Sequence, residues 1–430
     1  MMASAWRPGE LTARPARDPQ TRFCPLVDNL SGVATWRSAS WTDSSSRPHG
    51  AAAADGLRQR GGLEHIPRAF VIANSLVVLD FPRKPSDVTP DWLTRVLGAE
   101  VDSVAIRPIA EGAGFMGLLA VLTITYRPGA TGPASVVVKL PTEEPGSVAV
   151  GQMLRLWERE ARFYLDLASD LPVLTPRCYW ADGDPDSGIY GLVIEDLSHL
   201  TNGDQIAGAT DAQAIAAIDA LARLHASESG DAPSARLDWV PSVLTDPMYL
   251  GLQPMLEAVW PSFVAELGDQ APAGTLAVIE ASIPMLTDNL HTQLLTETLV
   301  HYDFRVDNLF FAGDEVIVLD WQAIARGQGL YDLAYFLAGS LTTEARQASE
   351  RSLVERYRHG LSDGGVAVPP SDEFFDLYRR MMLYTVGIAA MLLGQLDFSI
   401  NERAGILARG MAARFFTAVH DLGVEEFLSV

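Results

Sequence analysis

The stretch HYDFRVDN, residues 301 to 308, sets His301, Asp303 and Asn308 at the spacing H-x-D-x-x-x-x-N inside an otherwise apolar run. At ordinary residue frequencies a chain of 430 residues meets this pattern by chance roughly 0.02 times. Twelve residues beyond Asn308, the strand-like VIVLDW delivers a second acid, Asp320. Phosphoryl transfer from ATP needs such a set: a carboxylate to accept the proton of an attacking hydroxyl, and two oxygen ligands to hold Mg²⁺ against the phosphates. Asp303 suits the first task, and Asn308 with Asp320 the second. His301 reads as the organiser of the loop rather than as a proton shuttle. Arg305 is placed either to reach a transferring phosphate or to pair with a neighbouring acid. Asp307 reads as a solvated or capping residue.

Upstream, EGAGFMG carries Gly112, Gly114 and Gly117 at G-x-G-x-x-G. A dinucleotide site requires a helix directly after such glycines. Here LLAVLTITY follows, rich in β-branched residues, so the pattern favours a glycine-rich hairpin over phosphates. A nicotinamide-dependent oxidoreductase therefore requires residues 118 to 126 to be helical. Lys139 ends the apolar VVVK, and with Lys84 it is one of only two lysines among 32 basic residues. Arginine serves elsewhere, so this lysine has a specific reason. A buried ammonium needs an anion, and a compact one suits phosphate oxygens. The following helix offers the acid that holds it, Glu160 in EREARFY, with Glu158 left open because helix phase is not readable there. His225 in LARLHAS and Asp332 in GLYDLAYFL read as structural, Asp332 as a helix cap or a brace for the catalytic loop.

These residues need elements to hold them. SDVTPDWLTRVLG has a Thr cap, Pro90 at the first helical position and Gly98 as a stop. VDSVAIRPIA, LLAVLTITY and ASVVVKL follow as strands of an antiparallel meander, then the helical stretch GQMLRLWEREARFYLDLAS, then the strands PRCYWAD and YGLVIEDL. After Leu197 helices dominate, interrupted by the hairpin around HYDFRVDN. The expectation is an α+β chain in two lobes with a cleft between them. Residues 1–65 hold eight arginines and six acids with no sustained period, and read as a disordered extension.

Bulk composition narrows the classes. Two cysteines, Cys24 and Cys178, exclude a disulfide scaffold and a zinc module and fit a reducing cytoplasm. The apolar MMLYTVGIAAMLLGQL, 381 to 396, is shorter than a bilayer span and reads as a buried core helix. A formal net charge of −22 argues against a nucleic-acid partner. Oligomeric state is not readable.

The motifs EGAGFMG, VVVKL, EREARFY, LVIEDL, LARLHA, HYDFRVDN and VLDWQAIARGQGLYDLAYFL occur in an order that resembles the aminoglycoside phosphotransferase-like kinases. The DWQ form and ExxFY look closest to the ecdysteroid kinase-like branch. The resemblance implies a protein-kinase-like fold, with residues 86–198 as an ATP-binding lobe ending in a hinge and 199–430 as the catalytic and substrate lobe. It also implies adenine against Glu195, Asp196 and Leu197, and a small-molecule hydroxyl as acceptor. Tyr302 departs from the pattern, standing where many relatives have glycine, and Phe115 and Met116 make a bulkier phosphate loop. The competing class is a catalytically inactive nucleotide-binding pseudokinase, disfavoured because Lys139, Asp303, Asn308 and Asp320 are all present.

Overall fold

The computed structural model describes residues 82–109, 117–230, 235–291, 295–394 and 402–429; the extension 1–65 and the glycines Gly112 and Gly114 lie outside the described residues. The first helix, α1 (Pro90–Leu97), starts and stops where its caps dictate. Thr89 Oγ1 accepts from Trp92 N at 3.2 Å, Pro90 fills the first position, and Gly98 ends the helix at φ +65°. Strands β1 (Val101–Pro108), β2 (Gly117–Tyr126) and β3 (Ser135–Pro141) form the expected meander. Because 117–126 is a strand, the nicotinamide reading fails.

The helical stretch that follows β3 corrects its expectation: it is two helices, α2 (Pro145–Met153) and α3 (Leu156–Asp166). The chain turns at Arg155, which sits at φ +53°. The Leu154 carbonyl left over at the break accepts from the Arg159 guanidinium, and Gly151 leaves room for the Trp157 ring. Strands β4 (Cys178–Asp184) and β5 (Ile189–Glu195) complete a five-stranded antiparallel sheet in the order β1-β2-β3-β5-β4.

Strand parity decides what each face of this sheet carries. Ala120, Leu122, Ile124, Val136, Val138, Leu140 and Val193 pack with Val88, Trp92 and Leu93 under α1, where Trp92 meets Trp180 edge-on at 5.1 Å. The alternate residues, Val121, Val137, Leu192 and Ile194, face the other way and share one continuous core with the helices. Lys139 has the parity of Val137 and is thereby aimed at α3.

The helical part begins with the short β6 (Thr201–Asn202) and α4 (Asp211–Glu228), whose Thr210 and Gln213 make a reciprocal cap. It continues through α5 (Pro247–Leu250), α6 (Leu252–Leu267), α7 (Thr275–Ser282) and α8 (Leu286–His291). Strand β7 (Thr298–Val300) pairs with β10 (Ala325–Gly327), and between them β8 (Leu309–Ala312) and β9 (Glu315–Val318) form a hairpin with β6 at its edge. Four helices close the chain: α9 (Gly329–Ser340), α10 (Thr343–Asp363), α11 (Ser371–Leu393) and α12 (Glu402–Asp421). All twelve residues of α9 are buried, and α11 is buried from Met381 to Met391, the core helix expected there. Among the described residues no helix is long and apolar enough to cross a membrane. The fold is α+β and two-lobed, with the sheet at one end and the helices at the other.

Candidate active site

The loop after β7 is held by a single buried acid. Asp332, fully buried in the first turn of α9, accepts from His301 N at 2.7 Å through one carboxylate oxygen and from Tyr302 N at 2.9 Å through the other. Of its two expected roles it is the brace. His225 stands behind it, with Nε2 3.3 Å from Asp332 and Nδ1 2.6 Å from the Tyr357 hydroxyl. Both nitrogens of His301 are also committed to backbone. Nε2 lies 2.8 Å from Leu319 O, and Nδ1 lies 3.3 Å from Asp303 N. The ring lies 4.7 Å from Trp321. His301 therefore ties the loop to the end of β9.

Tyr302 takes φ +69°, a left-handed conformation that costs a non-glycine residue about 1 kcal/mol. Its departure from glycine is offset by packing. The ring stacks on Tyr331 at 4.3 Å, meets Tyr249 edge-on at 5.3 Å, and its hydroxyl bonds that of Tyr384. Together with Val243, Val300, Gln328 and Met381, three of these tyrosines line a narrow apolar pocket beside the loop.

Asp303 projects into the cleft with 23% of its side chain exposed. Asn308 Nδ2 donates to its carboxylate at 3.0 Å and to its carbonyl at 2.9 Å, and Arg305 Nε lies 3.3 Å away. Burial raises the Asp303 carboxyl above its ordinary pKa, and Asp320 adds to the rise, while Arg305, His301 and Asn308 hold it back. The result is a stronger base than a free carboxylate. Tyr335, on α9, also hydrogen-bonds Asp303, and burial pushes its own pKa up. Arg305 spans Asp303 and Asp307, at 3.1 Å from the latter, so it is paired with acids in this structure. Asp307 is partly exposed, and beyond its pair with Arg305 its second oxygen accepts from Gln205 N at 2.8 Å, a tie to a distant loop that the sequence does not announce.

Across the cleft, Lys139 Nζ lies 2.7 Å from Glu160 and 2.6 Å from Asp320, at 12% side-chain exposure. Glu160 is its partner among the two glutamates; Glu158 pairs with Arg155 and Arg162 on the outer side of α3. Burial raises the Glu160 pKa against the pull of Lys139, and burial of Asp320 is outweighed by Lys139, which brings that carboxyl below its usual range. Lys139 stays protonated, since its two carboxylates overcome the cost of burial.

Asp320 also occupies the left-handed region, at φ +64°, which turns the chain out of β9 into the single helical turn Trp321–Ala323. Trp321, unremarked in the sequence, is fully buried and stacks on Phe163 of α3 at 3.9 Å, locking the Asp320 segment to the helix that carries Glu160.

The donor set fits Mg²⁺. The Asn308 amide nitrogen is committed to two acceptors on Asp303, which turns its oxygen the other way, and among the described residues no hydrogen bond reaches that oxygen. Among the described residues Asp320 Oδ2 accepts only from Gln322, at 3.5 Å. One amide and one carboxylate oxygen leave room for phosphate and water, the usual company of this ion.

Gly117 opens β2 against Pro141, and a Cβ there would stand 3.2 Å from Leu140 O. Glu195 ends β5 and accepts from Arg177 N, Asp196 accepts from Ser135 Oγ at 2.6 Å, and Leu197 is buried at the crossing to β6. A larger cavity of about 500 Å³ lies away from this chemistry, between the outer side of α3 and residues 238–246.

A family model described as the phosphotransferase enzyme family matches residues 123–375, which include Lys139, Glu160, His301, Asp303, Asn308, Asp320 and Asp332. No curated protein matches the chain. Among solved structures, the chain is similar to choline kinase from Cryptosporidium parvum (12% identity, 76% of this chain and 93% of that chain, TM-score 0.49). It is also similar to macrolide 2'-phosphotransferase from Brachybacterium faecium (17%, 77% and 98%, 0.44) and to ethanolamine kinase from Plasmodium vivax (12%, 75% and 83%, 0.43).

Proposed function

The chain belongs to the phosphotransferase enzyme family, and from that premise we propose that it is a Mg²⁺- and ATP-dependent kinase of a small-molecule hydroxyl, with Asp303 as the base. The observation that carries the reading is convergence. Lys139 from β3 bonds Glu160 from α3 and Asp320 after β9, 181 residues away, while His301 ties the Asp303–Asn308 loop to Leu319 O, the residue before Asp320.

Lys139 is held protonated and forward by two acids, ready for phosphate oxygens. Asn308 and Asp320 would hold Mg²⁺, whose charge shields the phosphates and stabilises the charge that builds on them. Asp303, oriented by Asn308, takes the proton of the acceptor hydroxyl as the oxygen attacks phosphorus. Arg305 keeps the base ionised and brings a positive charge to the side of the loop where the phosphoryl group would be transferred. On this reading residues 86–198 form the nucleotide lobe, Glu195 to Leu197 the hinge under adenine, Gly112, Gly114 and Gly117 the phosphate hairpin, and 199–430 the catalytic and acceptor lobe. The Glu160-to-Tyr164 motif and the DWQ at 320–322 support the ecdysteroid kinase-like branch.

The test is a screen for acceptor-dependent ADP release with Mg²⁺-ATP, over aminoglycosides, sterols, choline-like alcohols and hydroxyacyl compounds, with Asp303→Asn as blank. A hit lost in the variant supports the kinase. Mg²⁺-ATP binding without turnover on any acceptor, identical in wild type and variant, favours the pseudokinase.

A further inference from the structure

Arg159 stands where the helix carrying Glu160 meets the segments carrying Asp303 and Asp320. Its side chain is only 3% exposed. The guanidinium donates to Leu154 O from two nitrogens, and its Nη1 reaches Tyr249 Oη at 3.0 Å and Ile324 O at 3.1 Å. Lys139, Arg305 and Arg346, by contrast, each bond two carboxylates. Arg159 has only neutral acceptors among the described residues, and a buried cation held that way is costly unless its hydrogen bonds are complete.

Each contact belongs to a different part of the centre. Leu154 O ends the helix before α3. Ile324 follows the turn that Asp320 opens. Tyr249, on α5, meets Tyr302 edge-on at 5.3 Å, and Tyr302 precedes Asp303 in a left-handed conformation that its aromatic neighbours maintain. Arg159 is also the residue before Glu160, so its anchorage bears on the helix that positions the Lys139 partner.

We propose that Arg159 is a positioning residue that transmits the placement of the Tyr249–Tyr302 wall to the Lys139–Glu160 pair, so that a change confined to the wall alters nucleotide affinity. The inference rests on the proposed function for the nucleotide site. Neither Arg159 nor Tyr249 hydrogen-bonds Lys139, Asn308 or Asp320 among the described residues, so an effect on nucleotide affinity is indirect, through the helix that carries Glu160 and the turn after Asp320.

The experiment measures Mg²⁺-ATP dissociation constants by calorimetry, alongside thermal melting, for wild type, Tyr249→Phe, Arg159→Met, the double variant and Arg379→Met. Arg379 is a staple among other residues, bonding Leu422 O at 2.7 Å and Gly423 O at 3.0 Å and pairing with Asp376 and Glu426. Expected are a weakening of about three- to tenfold in Tyr249→Phe and more in Arg159→Met, with no further loss in the double variant. Arg379→Met melts lower but binds as wild type does. Arg159→Lys, which keeps the charge but cannot reach three acceptors, serves if Arg159→Met does not fold, and the same weakening is expected. The proposal is overturned if Arg159 variants melt lower yet keep wild-type affinity, or if the Tyr249 and Arg159 effects simply add. Wild type that does not bind Mg²⁺-ATP at all overturns the proposed function, and this inference with it.

Discussion

The two halves of the cleft are built by opposite means. The loop at 301–308 is satisfied largely within itself: Asn308 to Asp303, Asp303 N to His301, Arg305 to both Asp303 and Asp307, with Asp332 as the outside brace. The knot at Lys139 has no local partner. Its two acids come from 21 and 181 residues away, and it exists only when β3, α3 and the turn after β9 are docked. A local loop keeps its shape by short-range hydrogen bonds, so single substitutions in it should act on chemistry. A knot assembled over distance depends on packing, so substitutions there should act on binding and on the relation of the lobes.

The largest expected effect tests the loop. Asp303→Asn should lower turnover by about 10²- to 10⁴-fold, the usual worth of a general base, while calorimetry finds Mg²⁺-ATP affinity near wild type. Comparable turnover by the two proteins on a true acceptor would remove Asp303 from its role. Next comes the knot: Glu160→Gln should weaken Mg²⁺-ATP binding about ten- to a hundredfold through the loss of a charge-assisted bond.

Asp332→Asn places an amide where two backbone donors need acceptors, so unfolding should show a loss of about 1–3 kcal/mol. Subtler is Arg305→Met. Asp303 works deprotonated, so activity falls as pH drops through its pKa, which burial already places above the ordinary value. Removing the cation that opposes this rise moves the acid limb of the pH–rate profile further alkaline; an unmoved limb would mean that Arg305 acts elsewhere. At the small end, Glu158→Gln should change stability by no more than ~0.5 kcal/mol, because its partner Arg155 is half exposed. Equal effects at Glu158 and Glu160 would erase the distinction between surface pair and knot.

Much of this architecture is legible in the chain because its signals are local. Caps and stops at Thr89, Pro90 and Gly98 mark α1, β-branched runs mark the sheet, and the spacing of His301, Asp303 and Asn308 already places the three on one loop. The break at Arg155 is not legible, because EREARFY and the residues before it carry helix formers throughout. What ends α2 is a guanidinium returning from the next helix and a Trp157 ring seated on Gly151. Asp307 and Tyr335 are equally silent, since their partners, Gln205 and Asp303, are 102 and 32 residues away.

By itself the sequence determines the residues of the chemistry and the strand parity that turns Lys139 toward the helices, because side-chain type and a two-residue period are properties of the local chain. Only the tertiary structure decides that Glu160 rather than Glu158 meets Lys139, that Asp320 joins them, and that Arg159 bridges the halves. Helix phase after a break, and the docking of distant segments, are set by Phe163 against Trp321 and by a core shared between sheet and helices, contacts that exist only once the chain has folded.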